Sequence, residues 1–396
     1  MILNYINSDN SREKIQLKQV IDITKEWLYI NAKNKKEFIQ QFVPAFFSGQ
    51  KMVLFDQNHK QLLQYYKNND LHSFKNIDEV QKKSQLLFFT SGSSGFPVGA
   101  FKTKDNLLKE IEQSKKLFID RGIKKVIVTV PFIHIYGILA GILLPMSLGE
   151  DIELIVKEDF LPYEILKEVG DGNALVITTP VFIKALGKLD PKILHETFFI
   201  SSTGPLQNDD VALFEQKYKT PLMQLFGSTE TGGIAYKIGV DDMWTSLGDV
   251  EVSQKDEKLQ VSSPYISEYV LSEGKIQNVQ LPFATEDIVK IDKNRFQLLG
   301  RCNKLIKIAG KRISATYIES ILETIEGVEK TVVELVYKKE LLRSEQILIK
   351  MQTKYPIDKA VIKAKIAQHF GVLTIPFKVE YIDKIELSAM GKKIIF

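Results

Sequence analysis

Residues 86–102, LLFFTSGSSGFPVGAFK, constrain this chain more than any other stretch. Leu86, Leu87, Phe88 and Phe89 form an apolar run that predicts a buried strand. The run breaks into Thr90, Ser91, Gly92, Ser93, Ser94 and Gly95, a turn of hydroxyls and glycines. Pro97 and Gly99 then hold the exit in a non-helical path. Glycine lets backbone N–H groups approach an anion closely, and Ser and Thr add short donors. Phosphate is the guest that such a turn suits; a solvent-exposed linker is the plain alternative. The Walker pattern GxxxxGK[ST] is absent, because neither Lys-Ser nor Lys-Thr follows Gly95.

A chain of 396 residues has room for two or three domains with a full core. A net charge of +4 without a dense Lys/Arg block gives no argument for nucleic acid. One cysteine, Cys302, excludes an intrachain disulfide and a cysteine-based zinc site. The start lacks a basic region followed by an apolar core, and the longest apolar run, 135–148, is too short and glycine-rich to span a membrane. A cytoplasmic protein is the expectation.

Apolar periodicity predicts helices over 25–29 and 36–47, the second kinked or split by Pro44 and ended by Gly49. A short strand is expected at 52–55. Asp105 and Asn106 are expected to cap a helix running to about Phe118. Strands are then expected at 124–130, 152–156, 174–178, 198–201 and 222–226, with helices at 163–168, 182–186 and 211–218. This alternation predicts a largely parallel sheet covered on both faces, with ligands at the carboxyl ends of its strands. From Trp244 the texture becomes short strands separated by turns, a small antiparallel β-subdomain. Beyond Gly300 a compact α+β module is expected, with helices at 316–325 and 357–369 and strands at 328–337, 346–351 and 379–382.

Further motifs follow the glycine-rich turn in order. Pro131 to Gly137 reads PFIHIYG, and Gln224 to Glu230 reads QLFGSTE. Thr285, Glu286 and Asp287 come next, then GRCNKLIKIAGKRI from Gly300 to Ile313 and SAMGK from Ser388 to Lys392. Together these resemble the signature elements of the adenylate-forming superfamily of acyl-CoA synthetases, nonribosomal adenylation domains and luciferases. The resemblance covers about residues 86–396; the segment before it is shorter than is usual in the family.

The resemblance implies an α/β fold: an N-terminal AMP-binding domain over 1–302, abbreviated at its start, and a small mobile C-terminal α+β domain over 303–396. It implies an ATP-dependent ligase that joins a small carboxylic acid to a thiol through acyl-AMP, with Mg2+. The acceptor is coenzyme A or, alternatively, a carrier-protein phosphopantetheine; a third possibility is a non-catalytic acyl- or nucleotide-binding relative. Two anions meet in such a reaction, so donors and positive charge are needed.

Thr90, Ser91, Gly92, Ser93, Ser94 and Gly95 would hold the ATP phosphates. Thr229 would add a hydroxyl to the α-phosphate, and Glu230 a hard oxygen ligand for Mg2+. Asp287 and Arg301 would hold the ribose. Lys392 would swing in with the C-terminal domain, turning about Asn303. His134, Tyr136 and Gly137 would border the acyl group, and Gly310 the pantetheine arm. Ser202, Thr203, Gly204, Phe226, Gly227 and Ser228 would line the acyl and adenine pocket. Phe and Ile around His134 point to an apolar or aromatic acid. The chain departs from the pattern at Val98, where a lysine is usual, leaving Lys102 or Lys104 as candidate substitutes. It also departs at Glu286, where glycine is usual, and at Asn303.

Overall fold

The computed structural model describes residues 2–17, 27–30, 32–54, 77–91, 97–272, 275–301, 305–308, 311–337, 345–370, 377–387 and 393. The chain divides into two units, Met1–Val252 with Val261–Phe283, and Ser253–Gln260 with Ala284–Phe396. Strands in chain order are β1 (Ile2–Ile6), β2 (Arg12–Lys14), β3 (Leu28–Tyr29), β4 (Met52–Leu54), β5 (Leu86–Ser91), β6 (Pro97–Lys102), β7 (Lys125–Val128) and β8 (Glu153–Lys157). They continue with β9 (Ala174–Thr178), β10 (Phe198–Ser201), β11 (Leu222–Ser228), β12 (Gly232–Ile238), β13 (Met243–Ser246), β14 (Glu251–Lys255), β15 (Lys258–Ser262), β16 (Tyr269–Ser272) and β17 (Lys275–Asn278).

In the first unit, β11-β10-β9-β7-β8-β1 run parallel in that order. Antiparallel β12 and β13 extend one edge and β2 the other. Side chains alternate across the strands, so one apolar run feeds two cores. Val126, Val128, Ile177 and Ile200 pack with Phe38, Phe42, Ile111 and Ile142 on one face. Ile127, Val176, Phe199 and Leu222 pack with Ile165, Ile183, Val211 and Phe214 on the other. The chain passes from β7 to β8 on one side and then to β9 on the other, so strand order reverses at β7. Ligand crevices of parallel sheets form at the carboxyl ends beside such a reversal.

A second sheet of this unit runs β17-β16-β6-β5-β4-β3. The short strands after Trp244 therefore do not all stay together: β16 returns to pair antiparallel with β6, Tyr269 opposite Phe101. Leu28–Tyr29 also differs from expectation. It is a strand paired parallel with β4 rather than helix, because main-chain pairing at the sheet edge overrides local periodicity. Residues 18–26 lie outside the described residues.

Pro44 does not divide its helix, which is continuous over Lys35–Ser48. Phe38, Phe42 and Phe46 stack along its buried face, with ring centroids 5.5 and 5.4 Å apart, and this packing offsets the lost proline N–H. Gly49 caps it at φ 88°, donating to the carbonyls of Ala45 and Phe46. The helix Lys104–Lys116 is capped by Thr103 rather than by Asp105 or Asn106, with Asn106 as the reciprocal partner. Residues 135–148 form helix Ile135–Ile138, a π-helical turn Leu139–Leu143 and helix Leu144–Leu148. Among the described residues, no helix is long and apolar enough to cross a membrane.

The second unit contains the strand order β14-β15-β18-β19, where β18 is Phe283–Asp292 and β19 is Arg295–Arg301. After it come a β20 (Leu305–Ile308) and β21 (Lys311–Ser314) hairpin and a sheet of β22 (Val328–Tyr337), β23 (Glu345–Thr353) and β24 (Phe377–Tyr381). The helices Ala315–Leu322 and Lys359–Phe370 pack on that sheet through Ile318, Leu322, Ile362 and Ile366. Cys302 and Asn303 lie outside the described residues.

Candidate functional site

Three loops meet at the carboxyl edge of the parallel sheet. The first follows β7 and carries His134, the N-cap residue of helix Ile135–Ile138. Gly137 allows this turn: a Cβ there would stand 2.0 Å from the Pro131 carbonyl oxygen. Tyr136 crosses beneath the edge, its hydroxyl donating between the carbonyls of Thr178 and Ile200 at 3.1 and 3.0 Å. Burial pushes its phenol pKa well up, partly offset by the Thr178 bond. The ring therefore stays neutral and pins the ends of β9 and β10.

The second loop carries Ser202, Thr203 and Gly204. The Ser202 hydroxyl donates to Leu225 O at 2.9 Å, which ties β10 to β11. Thr203 holds φ 83°, a conformation that a β-branched residue adopts only at a cost. At Gly204 a Cβ would meet Pro180 at 3.8 Å, so space alone does not require glycine there.

The third loop is the tip of the β11-β12 hairpin. Gly227 faces Gly233 and Ser228 faces Gly232, which leaves Thr229, Glu230 and Thr231 as the turn. A Cβ on Gly227 would stand 2.2 Å from Gly232 O, so the close approach of the two strands demands glycine. Ser228 and Thr231 lock the turn reciprocally: Ser228 N–H donates to Thr231 Oγ1 at 3.0 Å, and Thr231 N–H to Ser228 Oγ at 3.2 Å. Ser228 thus shapes the tip. Phe226 packs its ring 5.5 Å from Trp244. Thr229 and Glu230 are half-buried at the apex.

Two residues absent from the sequence candidates join this edge. Ser201 and Gln224 are cross-strand partners, 2% and 4% exposed. Ser201 Oγ and Gln224 Nε2 are buried and have no hydrogen-bond partner among the described residues. Such atoms are costly unless a ligand or ordered water meets them. Gln224 stood inside the QLFGSTE motif, so the motif held the signal; Ser201 reads from sequence only as the end of an apolar strand.

The two candidate lysines differ in their surroundings. Lys102 is 1% exposed and donates to Glu230 O at 2.9 Å and Tyr265 O at 2.5 Å. Lys104 lies over the rings of Phe46 and Phe47 and donates to Phe47 O at 3.2 Å. Lys102 is thus committed within the fold, while Lys104 stays half-exposed.

Of the glycine-rich turn, Thr90 and Ser91 close β5, opposite Val98 and Pro97 of β6. Gly92, Ser93, Ser94 and Gly95 lie outside the described residues, as do Gly310 and Lys392.

In the second unit Asp287 and Arg301 face each other across β18 and β19, with Nε to Oδ1 at 3.2 Å. Burial raises the Asp287 carboxyl above its usual range, and Arg301 and the Thr285 hydroxyl partly counter it. Glu286 pairs with Lys258 at 3.1 Å. Lys393 is held by Glu319 at 2.9 Å, Glu323 at 2.6 Å and Thr331 O at 2.5 Å.

A family model described as AMP-binding enzyme matches residues 7–262. The chain belongs to the AMP-binding enzyme family. Curated relatives of this AMP-binding enzyme include the 4-coumarate–CoA ligase of Cereibacter sphaeroides, 24% identical over 61% of this chain and 54% of that protein. The 2-succinylbenzoate–CoA ligase of Enterococcus faecalis is 23% identical over 64% of this chain and 58% of that protein. The chain spans about half to two thirds of the length of the curated relatives it matches.

The fold is that of o-succinylbenzoate CoA synthetase from Bacillus subtilis, solved with its acyl-adenylate intermediate. That structure superposes with a TM-score of 0.78 at 17% identity, over 99% of this chain and 94% of that one. ATP-bound MatB from Rhodopseudomonas palustris gives 0.76 at 15% identity, with the same coverage of both chains.

The donor set at the tip fits magnesium. Among the described residues no three His, Cys, Asp or Glu side chains gather as a metal nest, and no hydrogen bond takes up the Glu230 carboxylate. One protein carboxylate plus substrate phosphates is the usual way this ion is held.

Proposed function

We propose that this AMP-binding enzyme is an AMP-forming acid–thiol ligase acting on an apolar or aromatic carboxylic acid, with coenzyme A as acceptor. A carboxylate oxygen bonds to the α-phosphorus of ATP as the bond to the β-phosphate oxygen breaks and pyrophosphate leaves. A thiol sulfur then bonds to the acyl carbon, its proton passes to solvent, and AMP departs. The observation that carries this reading is the rigid hairpin tip presenting Thr229 and Glu230 at the carboxyl edge of a parallel sheet, within the span matched by the family model.

In this reading Thr90 to Gly95 cradle the phosphates, Thr229 donates to the α-phosphate, and Glu230 would hold Mg2+. When bound, that ion supplies charge neutralisation on the phosphates. His134 and Tyr136 border the acyl group, and Ser202, Thr203, Gly204 and Phe226 the adenylate. Asp287 and Arg301, already in register, offer a carboxylate and a guanidinium to the ribose hydroxyls. Lys392, on a C-terminal domain spanning 303–396, supplies the ammonium for adenylation. The carboxylates of Glu319 and Glu323 and the Thr331 carbonyl engage Lys393, which leaves Lys392 for that task.

The test is acid-dependent exchange of labelled pyrophosphate into ATP across a panel of aryl and aliphatic acids. Exchange with one class, followed by acyl-CoA formation, is expected. Nucleotide binding without exchange for any acid would overturn it in favour of a non-catalytic binding protein. The burial of Lys102 between two carbonyls, with Val98 at the usual lysine position, is the observation that favours that second reading. Lys392→Ala is expected to cut exchange by about 100-fold or more while sparing thiol transfer from preformed acyl-AMP.

A further inference from the structure

The hairpin tip is supported by Lys102, at the end of the 86–102 stretch, and by Glu110, which belongs to no motif. Glu230 O accepts from two sides, from Ser267 N–H at 2.8 Å and from Lys102 Nζ at 2.9 Å. The same ammonium reaches Tyr265 O, so one buried charge joins the tip to the segment that leads into β16. On the far strand of the hairpin, Gly233 N–H donates to Glu110 Oε1 at 2.9 Å. Glu110 is 7% exposed and projects from the helix Lys104–Lys116. That helix is itself fixed to the same segment, since Asn106 Nδ2 donates to Pro264 O at 2.7 Å.

We infer that Lys102 and Glu110 are positioning residues that grip the tip of the β11-β12 hairpin from two sides and so set where Thr229 and the Glu230 carboxylate stand. The inference rests on reading that tip as the nucleotide and magnesium contact. Burying two full charges is expensive, and burial lowers Lys102 and raises Glu110 from their ordinary values. Each charge partly counters that shift in the other, and Glu230 adds to the effect on Lys102. An apolar pair would pack the same space more cheaply; what it would lose is the fixed main-chain position of residues 230 and 233.

The test compares Lys102→Met, Glu110→Ala and Glu110→Gln with the intact chain, using Lys35→Met as a buried lysine outside the site. Calorimetry reads the affinity for magnesium with a non-hydrolysable ATP analogue, and pyrophosphate exchange reads the Mg2+ concentration for half-maximal rate. Lys102→Met and Glu110→Ala are expected to weaken binding and raise the Mg2+ requirement about tenfold. Glu110→Gln keeps an acceptor for Gly233 N–H and is expected to stay within about threefold of the parent. Amide exchange of Gly233 should quicken in the first two variants. If they lower only the melting temperature, with affinity and Mg2+ requirement unchanged, the inference is overturned and the pair is merely structural. Should Lys102→Met not fold, the Ala against Gln contrast at Glu110 decides alone. A parent chain that binds no nucleotide overturns the functional reading beneath it; a parent that binds, with variants indistinguishable from it, overturns this inference only.

Discussion

In the first unit Lys35 is 5% and Lys102 1% exposed, and each ammonium donates to two main-chain carbonyls. Lys35 opens the helix Lys35–Ser48 and reaches Thr129 O at 3.3 Å and Lys157 O at 2.9 Å. Its charge is answered by Glu158 and Asp159, and Glu158 also accepts the Lys35 backbone N–H at 2.8 Å. It fastens a helix to the ends of two core strands. Lys102 makes the same pattern of bonds, but one of its carbonyls belongs to the residue at the apex of the candidate site. A buried lysine has no role in itself; what hangs from the carbonyl it holds decides whether its loss is felt as stability or as chemistry.

That contrast can be broken or sharpened by experiment. Glu230→Gln should have the largest effect, cutting exchange by about 100-fold with little change in melting temperature, because only the side chain beyond the held carbonyl alters. An unchanged rate would remove the tip from the site. Lys35→Met should do the reverse. Two buried acceptors lose their donor, so denaturant titration should show a loss of about 1–3 kcal/mol, with the Michaelis constant for ATP unmoved.

The pH dependence separates the parent from this variant more finely. Burial lowers Lys35 to about 8. Between about 8 and 10.5 the unfolded chain therefore binds more protons than the folded one, and stability rises with pH. The gain is present above that window and lost as pH falls through about 8; Lys35→Met should flatten this slope. The smallest effect is expected for Lys104→Ala, where loss of the contact with Phe46 and Phe47 should cost about 0.5 kcal/mol and leave the ATP constant unchanged. A raised constant would restore Lys104 as a phosphate-binding group.

The parallel sheet was legible because its strands are continuous apolar runs ended by polar turns. Ala174–Thr178 and Phe198–Ser201 follow the expected bounds, as does Val328–Tyr337 in the separate sheet of the second unit. Leu28–Tyr29 and the uninterrupted helix through Pro44 were not legible, since both depend on packing partners remote in sequence. At the site, QLFGSTE carried enough local chemistry to mark Thr229 and Glu230. Lys102 was marked only as a possible stand-in for the loop lysine, a different role, and Glu110 reads as an ordinary charge on a helix. Their meaning arises only when the chain brings residues 230 and 233 against them, across more than a hundred positions.

Ser201 and Gln224 carry an evolutionary consequence. Apolar replacements at both would remove two buried polar atoms that no described protein group meets and should make the fold hardier in heat. A lineage selected only for endurance would discard them early. Their retention in heat-adapted descendants of this chain would mark a compromise in which durability was yielded for use.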